Sequence, residues 1–454
     1  MSGNGISRRR FMQSTAATAG GALASSFLLE PKALAASPHP TPPSDTLRFA
    51  MFGVGMRGSG VLRTALSLPG AQCVAAAELW DGRATLAKQI VGQPIPTTRL
   101  YQELLDRKDI DCIIAPVPDH WHKKIVLDCC QAGKDVYVEK PMTHTVEEGF
   151  EIIDAANRYN RIVQVGSQEP SSVVYQKMRE LFNQKALGDL CLVEAQMGRN
   201  DYCGAWGYTV PPDLSPENLD WNTWQAPAAQ YLPFNKIRWT RWRCFNDYGE
   251  GIPGDLFIHH LTGIHYAMNL NSPPQRAYTQ GGLYRWKDGR DAPDVMTTVY
   301  DYPGFSLTLR VTLNTDTGEG FHFMGDHGVM EVDGVENPSG FSIAPQDGEN
   351  HSPCTPGWPS ALRLAYDHKW DEAHDPAPGT GTLVPTTSYK VPRGYDSTRE
   401  HLWNFFQSVK TRQPSIEGPE FANACAIACH MANYSYFNKS VAVWDEQARK
   451  VKSA

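Results

Sequence analysis

From Leu47 onward, short apolar runs alternate with amphipathic stretches. The runs are Leu47 to Val54, Ala71 to Glu78, Cys112 to Val117, Val136 to Val138 and Ile162 to Val165; helical periodicity covers Gly58 to Leu68, Ala84 to Val91, His122 to Ala132 and Val146 to Tyr159. Unbroken apolar runs mark strands buried on both faces, and intervening helices bring such strands parallel, so residues 47–168 are predicted to form a doubly wound α/β sheet. After Gln168 the rhythm changes. A helix over Val173 to Asn183 precedes loops rich in Trp, Pro and Asn at 200–250 and a helix over Asp255 to Leu270; two-residue alternation then appears in Val295 to Tyr302, Ser306 to Leu313 and Val329 to Val332. The Pro/Gly-rich stretch 337–392 reads as excursions of loop, and helices over Ser397 to Lys410 and Phe421 to Asn438 follow. Residues 169–454 are therefore expected to be an α+β domain with a largely antiparallel open sheet.

Residues 1–46 fit neither pattern. Ser7-Arg8-Arg9-Arg10-Phe11-Met12 precedes a mildly apolar run from Ala16 to Leu29 and then Ala33-Leu34-Ala35, the order of a twin-arginine export signal with cleavage expected after Ala35. The run is short and weakly apolar against a bilayer core of about 30 Å, so no membrane span is expected in the mature protein, and a periplasmic or otherwise exported location is. The four prolines of residues 36–46 prevent helix or central strand and predict an extended arm.

At 454 residues the chain is long enough for two domains, and 41% hydrophobic with 20% charged residues is the balance of a folded protein. The net charge of −7 becomes −10 once Arg8, Arg9, Arg10, Lys32 and Glu30 are removed with the signal. Without a basic run there is no grip for nucleic acid, which leaves a small molecule as the expected partner. The ten cysteines contain no C-x-x-C pair, so no zinc or redox dithiol site is signalled and most are expected to be buried thiols.

Gly53-Val54-Gly55-Met56-Arg57-Gly58 lies between an apolar strand and a helix. In that context the first glycine permits a tight turn, the second lets a pyrophosphate approach the backbone, and the third allows close helix–sheet packing, with helix N–H groups facing the phosphates. Glu78, 20 positions after Gly58, stands where a carboxylate accepts from ribose hydroxyls and repels a 2′-phosphate, so NAD is expected over NADP. Arg57 and Arg83 either soften that preference or are solvated surface charges. Lys140 falls between a strand end and Pro141, at the sheet edge where ligands of such folds bind; the alternative is an exposed surface lysine. Asp255 and His259, four apart, share a helix face and can converge on one substrate hydroxyl, or else form a helix-surface pair. A metal site from His259, His260 and His265 is disfavoured because consecutive histidines diverge around a helix. In Trp239-Thr240-Arg241-Trp242-Arg243, ring faces suit sugar C–H surfaces and arginines suit hydroxyls, which nominates Arg241 and Trp242 for a carbohydrate; core packing is the alternative for either Trp.

Three segments together, Pro116-Val117-Pro118-Asp119-His120-Trp121-His122, Glu139-Lys140-Pro141 and Gly251-Ile252-Pro253-Gly254-Asp255-Leu256-Phe257-Ile258-His259, resemble the glucose-fructose oxidoreductase and inositol dehydrogenase family, Gfo/Idh/MocA. The resemblance implies an N-terminal Rossmann domain and a C-terminal domain whose open sheet forms a subunit interface, hence a homo-oligomer. It implies a nicotinamide cofactor touched by Gly53, Gly55, Met56, Arg57, Gly58, Glu78, Pro118, His122, Glu139, Lys140 and Gln168. It gives Lys140 a hydrogen bond to the reacting hydroxyl, His259 the proton and Asp255 the orientation of substrate. For His122, a helix-start histidine satisfied by backbone remains the alternative. The expected activity is an exported carbohydrate oxidoreductase with captive cofactor; the alternative is an NAD-dependent glycosidase working by transient oxidation, elimination and re-reduction.

Overall fold

The computed structural model describes residues 27–28, 46–346, 354–374 and 387–454. Six parallel strands form one sheet in the order Thr97–Thr98, Ala71–Ala77, Leu47–Phe52, Cys112–Ala115, Asp135–Glu139 and Val163–Gly166. The inner strands Cys112–Ala115 and Asp135–Glu139 are buried at every position, which explains their unbroken apolar runs. Separate apolar cores flank the sheet, one around Val126 and Ile152, the other around Leu62 and Tyr137. The second core also takes Leu402, Phe405 and Phe406 from the distant helix Ser397–Thr411. The chain reverses its direction across the sheet between Leu47–Phe52 and Cys112–Ala115, opening the crevice at the strands' C-terminal ends in which such folds bind ligands.

The second sheet has eleven strands, mostly antiparallel, with Leu190–Gly198 and Phe305–Thr312 paired in parallel at its centre. One face is covered and the other is not, so its strands alternate: in Val295–Tyr302 the side chains of Met296, Thr298, Tyr300 and Tyr302 are buried. Helices Val173–Asn183, Ile258–Met268 and Pro419–Asn438 contribute to the same apolar core. The whole is α/β, with an N-terminal Rossmann sheet and a C-terminal mostly antiparallel one.

The expectation of loop throughout 337–392 is corrected. Strands Gly340–Pro345 and Thr387–Lys390 pair with each other, and Ser360–His374 is a helix. Backbone pairing overrides weak strand propensity here, since both strands add to an existing ladder. The expected signal over 1–35 lies outside the described residues apart from Phe27–Leu28, which pairs with Thr387–Ser388. The extended arm, residues 36–46, also lies outside them save Thr46.

The Trp-rich stretch 200–250 contains short helices at Trp221–Gln225 and Lys236–Thr240 and runs back over the Rossmann domain. Asp81 N donates to Asn218 O (3.0 Å), Asp220 N to Leu79 O (3.1 Å) and the Trp121 indole to Trp224 O (2.7 Å). These bonds fasten it as a strap beside the crevice.

Candidate active site

A cavity of about 540 Å³ runs from the glycine turn to the C-terminal domain, within the ~300–1,000 Å³ usual for small-molecule and cofactor sites. At one end lie Gly53, Gly55, Met56 and Arg57. Gly53 has φ +88°, a left-handed conformation that side chains resist. A Cβ on Gly58 would stand 2.6 Å from Gly53 O and 2.9 Å from the Pro116 ring, so this glycine is needed for packing and does not itself line the cavity. The helix Met56–Leu66 has no capping side chain and no acidic residue in its first turn, which leaves its leading N–H groups for an anion.

Glu78 lines the cavity at 8% exposure and accepts from the backbone N–H of Val54 (2.8 Å), Leu79 (2.9 Å) and Trp80 (3.2 Å). Three of the roughly four acceptor positions of a carboxylate are thus taken, so Glu78 braces the glycine turn and keeps about one position for a ribose hydroxyl. The glycine turn, uncapped helix and carboxylate fit a dinucleotide. Arg83 is not a solvated charge: its guanidinium stacks 4.1 Å from the Trp239 ring and stands 3.4 Å from where a Gly55 Cβ would be. Arg57 donates to Glu139 (2.8 Å) and Gln168 (3.1 Å), and the Glu139 carboxylate raises its pKa.

Across the cavity, Lys140 and Asp255 meet from different domains. Lys140 follows the strand Asp135–Glu139, whereas Asp255 lies on the π-helical turn Pro253–Phe257 that leads into the helix Ile258–Met268. Lys140 Nζ donates to the Asp255 carbonyl (2.6 Å) and to Oδ1 (2.8 Å), which leaves one ammonium proton for a ligand. Asp255 also accepts from Arg243 Nε (2.9 Å) and from the Trp206 indole (2.7 Å), and Trp206 is held at φ +61° to make that contact. Burial opposes charge on Asp255, but Lys140 and Arg243 outweigh it and keep the carboxyl well below its usual range. With three donors on its carboxylate and Lys140 also on its carbonyl, Asp255 positions Lys140 and keeps about one acceptor position.

His259 is buried, and its Nδ1 lies 2.8 Å from Glu169 Oε1, which fixes the ring with Nε2 on the cavity side. Burial raises the pKa of Glu169 against the pull of His259, and its other oxygen has no partner. Glu336, on the loop after the strand Gly328–Asp333, places Oε1 3.7 Å from His259 Nε2.

Of the residues nominated from sequence, Gly53, Gly55, Met56, Arg57, Glu78, Pro118, Glu139, Lys140, Trp242, Asp255 and His259 line one cavity. Four others do not: Gly58, which packs beneath the turn, and Arg241, His122 and Gln168. Arg241 points away, donating to Tyr208 O (3.0 Å), and its neighbour Arg243 reaches the site instead. A 3₁₀ turn over Trp242–Cys244 separates their directions. His122 is buried between the carbonyls of Pro141 (2.6 Å) and Val117 (2.9 Å), so it braces the Lys140–Pro141 turn from behind. Gln168 bonds Arg57 and Glu336 and acts behind the lining. Glu169, Arg199, Trp206, Arg243 and Glu336 were not nominated. Among the described residues no group of three or more His, Cys, Asp or Glu is placed to hold a metal ion.

The glycine turn, uncapped helix and Glu78 lie within a segment, residues 47–167, that matches the GFO_IDH_MocA description "Oxidoreductase family, NAD-binding Rossmann fold". The match covers the Rossmann sheet and stops at the last of its strands. The chain is 32% identical over 170 residues to a glycosyl hydrolase family 109 protein of Shewanella pealeana, covering 34% of this chain and 37% of that protein. It is 30% identical over 171 residues to an alpha-N-acetylgalactosaminidase of Shewanella oneidensis, with the same coverage. The match thus spans little more than a third of the length of these curated relatives. The fold likeness is longer: aldose-aldose oxidoreductase from Caulobacter crescentus superposes with a TM-score of 0.64 over 88% of this chain and 99% of that one, at 14% identity. Levoglucosan dehydrogenase in complex with NADH and levoglucosan gives 0.62 over 87% and 98%, at 15% identity. Residues 47–167 line the glycine-turn end of the cavity, and the C-terminal domain supplies Asp255, His259 and Glu336 at the other.

Proposed function

We propose that this protein is an exported, NAD-dependent oxidoreductase acting at a hydroxyl-bearing carbon of a sugar, polyol or glycoside, with its cofactor retained between turnovers. The observation that carries this reading is one cavity that joins the glycine turn of the Rossmann domain to Lys140 and to His259 of the other domain. A bound nicotinamide supplies hydride exchange with the substrate carbon. Lys140, anchored twice on Asp255, turns its remaining N–H to the substrate oxygen. His259 Nε2 takes the hydroxyl proton while Nδ1 leans on Glu169, whose raised pKa makes it a second proton acceptor. The sugar class is supported by the names of the aldose-aldose oxidoreductase and levoglucosan dehydrogenase neighbours. We further propose a homo-oligomer formed through the uncovered face of the large sheet, where the cross-strand neighbours Tyr278 and Val299 are 49% and 43% exposed.

A second reading, glycoside cleavage through transient oxidation, elimination and re-reduction, is favoured by the names of the curated relatives. One experiment separates the two. Protein purified without added nucleotide is mixed with free sugars, polyols and chromogenic glycosides while reduced-nicotinamide fluorescence and aglycone release are followed together. A lasting fluorescence rise with a free sugar or polyol, reversed by a second carbonyl sugar, is the expected outcome; aglycone release at steady fluorescence transfers the assignment to the glycosidase.

A further inference from the structure

Glu336, at the substrate end of the cavity, is a carboxylate that the steps above do not use. Glu336 and Arg199 both line the cavity, Arg199 following the strand Leu190–Gly198 and Glu336 the strand Gly328–Asp333 of the large sheet. Glu336 Oε1 lies 3.6 Å from the Arg199 guanidinium and 3.7 Å from His259 Nε2, and Oε2 accepts from Gln168 (3.4 Å). Its side chain is 33% exposed, so a ligand can reach it. His259 is the main influence holding Glu336 ionised, with Lys140, Arg199 and Arg57 adding to it against burial.

Two features follow. A hydroxyl oxygen about 2.8 Å from both His259 Nε2 and Glu336 Oε1 fits the 3.7 Å gap between them, so once His259 carries a proton its Nε2–H can donate to a substrate hydroxyl whose own O–H donates to Glu336. Charges at this end also match in groups: Lys140 and Arg243 on Asp255, Arg57 on Glu139, Arg199 on Glu336. Among the described residues, Glu336 is the carboxylate ion-paired with Arg199. Removing its charge would leave Arg199 open to a carboxylate ligand.

We propose that Glu336 is a substrate-contacting, specificity-determining residue: it shares a substrate hydroxyl with His259 and, by neutralising Arg199, makes the site select uncharged polyhydroxy compounds over their carboxylate analogues. This rests on the functional reading above. The test uses the purified protein with its nucleotide, the variants Glu336→Gln and Glu336→Asp, and two matched pairs of probes, glucose with glucuronate and galactose with galacturonate. Binding is read as quenching of tryptophan emission, since Trp242 lines the cavity, and reduction of the nucleotide is read in parallel. Wild type is expected to bind the uncharged member of at least one pair about tenfold tighter, Glu336→Gln to erase or reverse that ratio, and Glu336→Asp to keep its sign. Tighter uronate binding by wild type, a ratio unchanged within about twofold in Glu336→Gln, or no saturable binding of any of the four probes would overturn the proposal. Failure of the functional reading shows separately, as absence of nucleotide binding or as sugar discrimination with no nucleotide reduction.

Discussion

Replacing Asp255 by Asn removes one negative charge that two cations share while keeping the shape of the side chain. In the native protein Lys140 and Arg243 approach the same oxygen at 2.8 and 2.9 Å, and the three side chains are 10%, 20% and 16% exposed in the order Lys140, Arg243, Asp255. Breaking a buried pair by removing one partner costs about 3–5 kcal/mol. Part of the environment survives: Lys140 still donates to the Asp255 carbonyl (2.6 Å), and Arg243 still lies over the Trp242 ring at 4.2 Å. The lower end, about 3 kcal/mol, is therefore expected. The sign with pH follows from the depressed value in the folded state. Asp255 stabilises the fold fully above its ordinary value of 3.8, and the contribution is lost as pH falls through the lower folded value. Urea unfolding of wild type and Asp255→Asn, followed by tryptophan emission to which Trp206 contributes beside the substituted group, should show the full difference at pH 7 and at pH 5. A difference below about 1 kcal/mol at pH 7, or one that already shrinks between pH 7 and pH 5, would refute the account of Asp255 as a buried, ionised anchor.

Three further outcomes are expected. Gly58→Ala forces the glycine turn away from Gly53 O, so NAD affinity measured by fluorescence titration should fall by more than about tenfold while thermal unfolding remains cooperative. Glu169→Gln takes the carboxylate from His259 Nδ1, and turnover should drop about a hundredfold with nucleotide affinity unchanged; equal losses in both would point to misfolding instead. Asp119, 4% exposed, is raised by burial from 3.8 to about 7, so the folded form holds its proton more tightly than the unfolded one and native stability falls as pH rises between those values. Asp119→Asn should abolish that slope of up to about 1.4 kcal/mol per pH unit, and parallel slopes in both proteins would clear Asp119 as its source.

The residues legible from sequence are those whose chemistry sits in a local pattern. The glycine turn, Glu78, Lys140 before its proline and the Asp255/His259 spacing each occupy a strand end or helix turn that periodicity locates. The groups that complete the site carry no such pattern. Glu169 and Glu336 are brought to His259 across 90 and 77 positions by packing within the C-terminal domain, and Trp206 reaches Asp255 from a loop distant in sequence. Arg241 and Arg243 are indistinguishable by composition, and only the 3₁₀ turn over Trp242–Cys244 decides which faces the cavity. The strands Gly340–Pro345 and Thr387–Lys390 were hidden for a similar reason, since their stability comes from neighbours and not from their own residues.

The strap of residues 200–250 and the helix Ser397–Thr411 have a consequence for how the chain is synthesised. The first half emerges from the ribosome with Leu79, Asp81 and Trp121 lacking their partners, and the face that receives Leu402, Phe405 and Phe406 stays bare until the last part of the chain is made. The Rossmann domain is thus complete in sequence long before it is complete in space. A truncation after residue 168 would leave a dinucleotide fold with one apolar face uncovered, a candidate for chaperone binding rather than a transferable module.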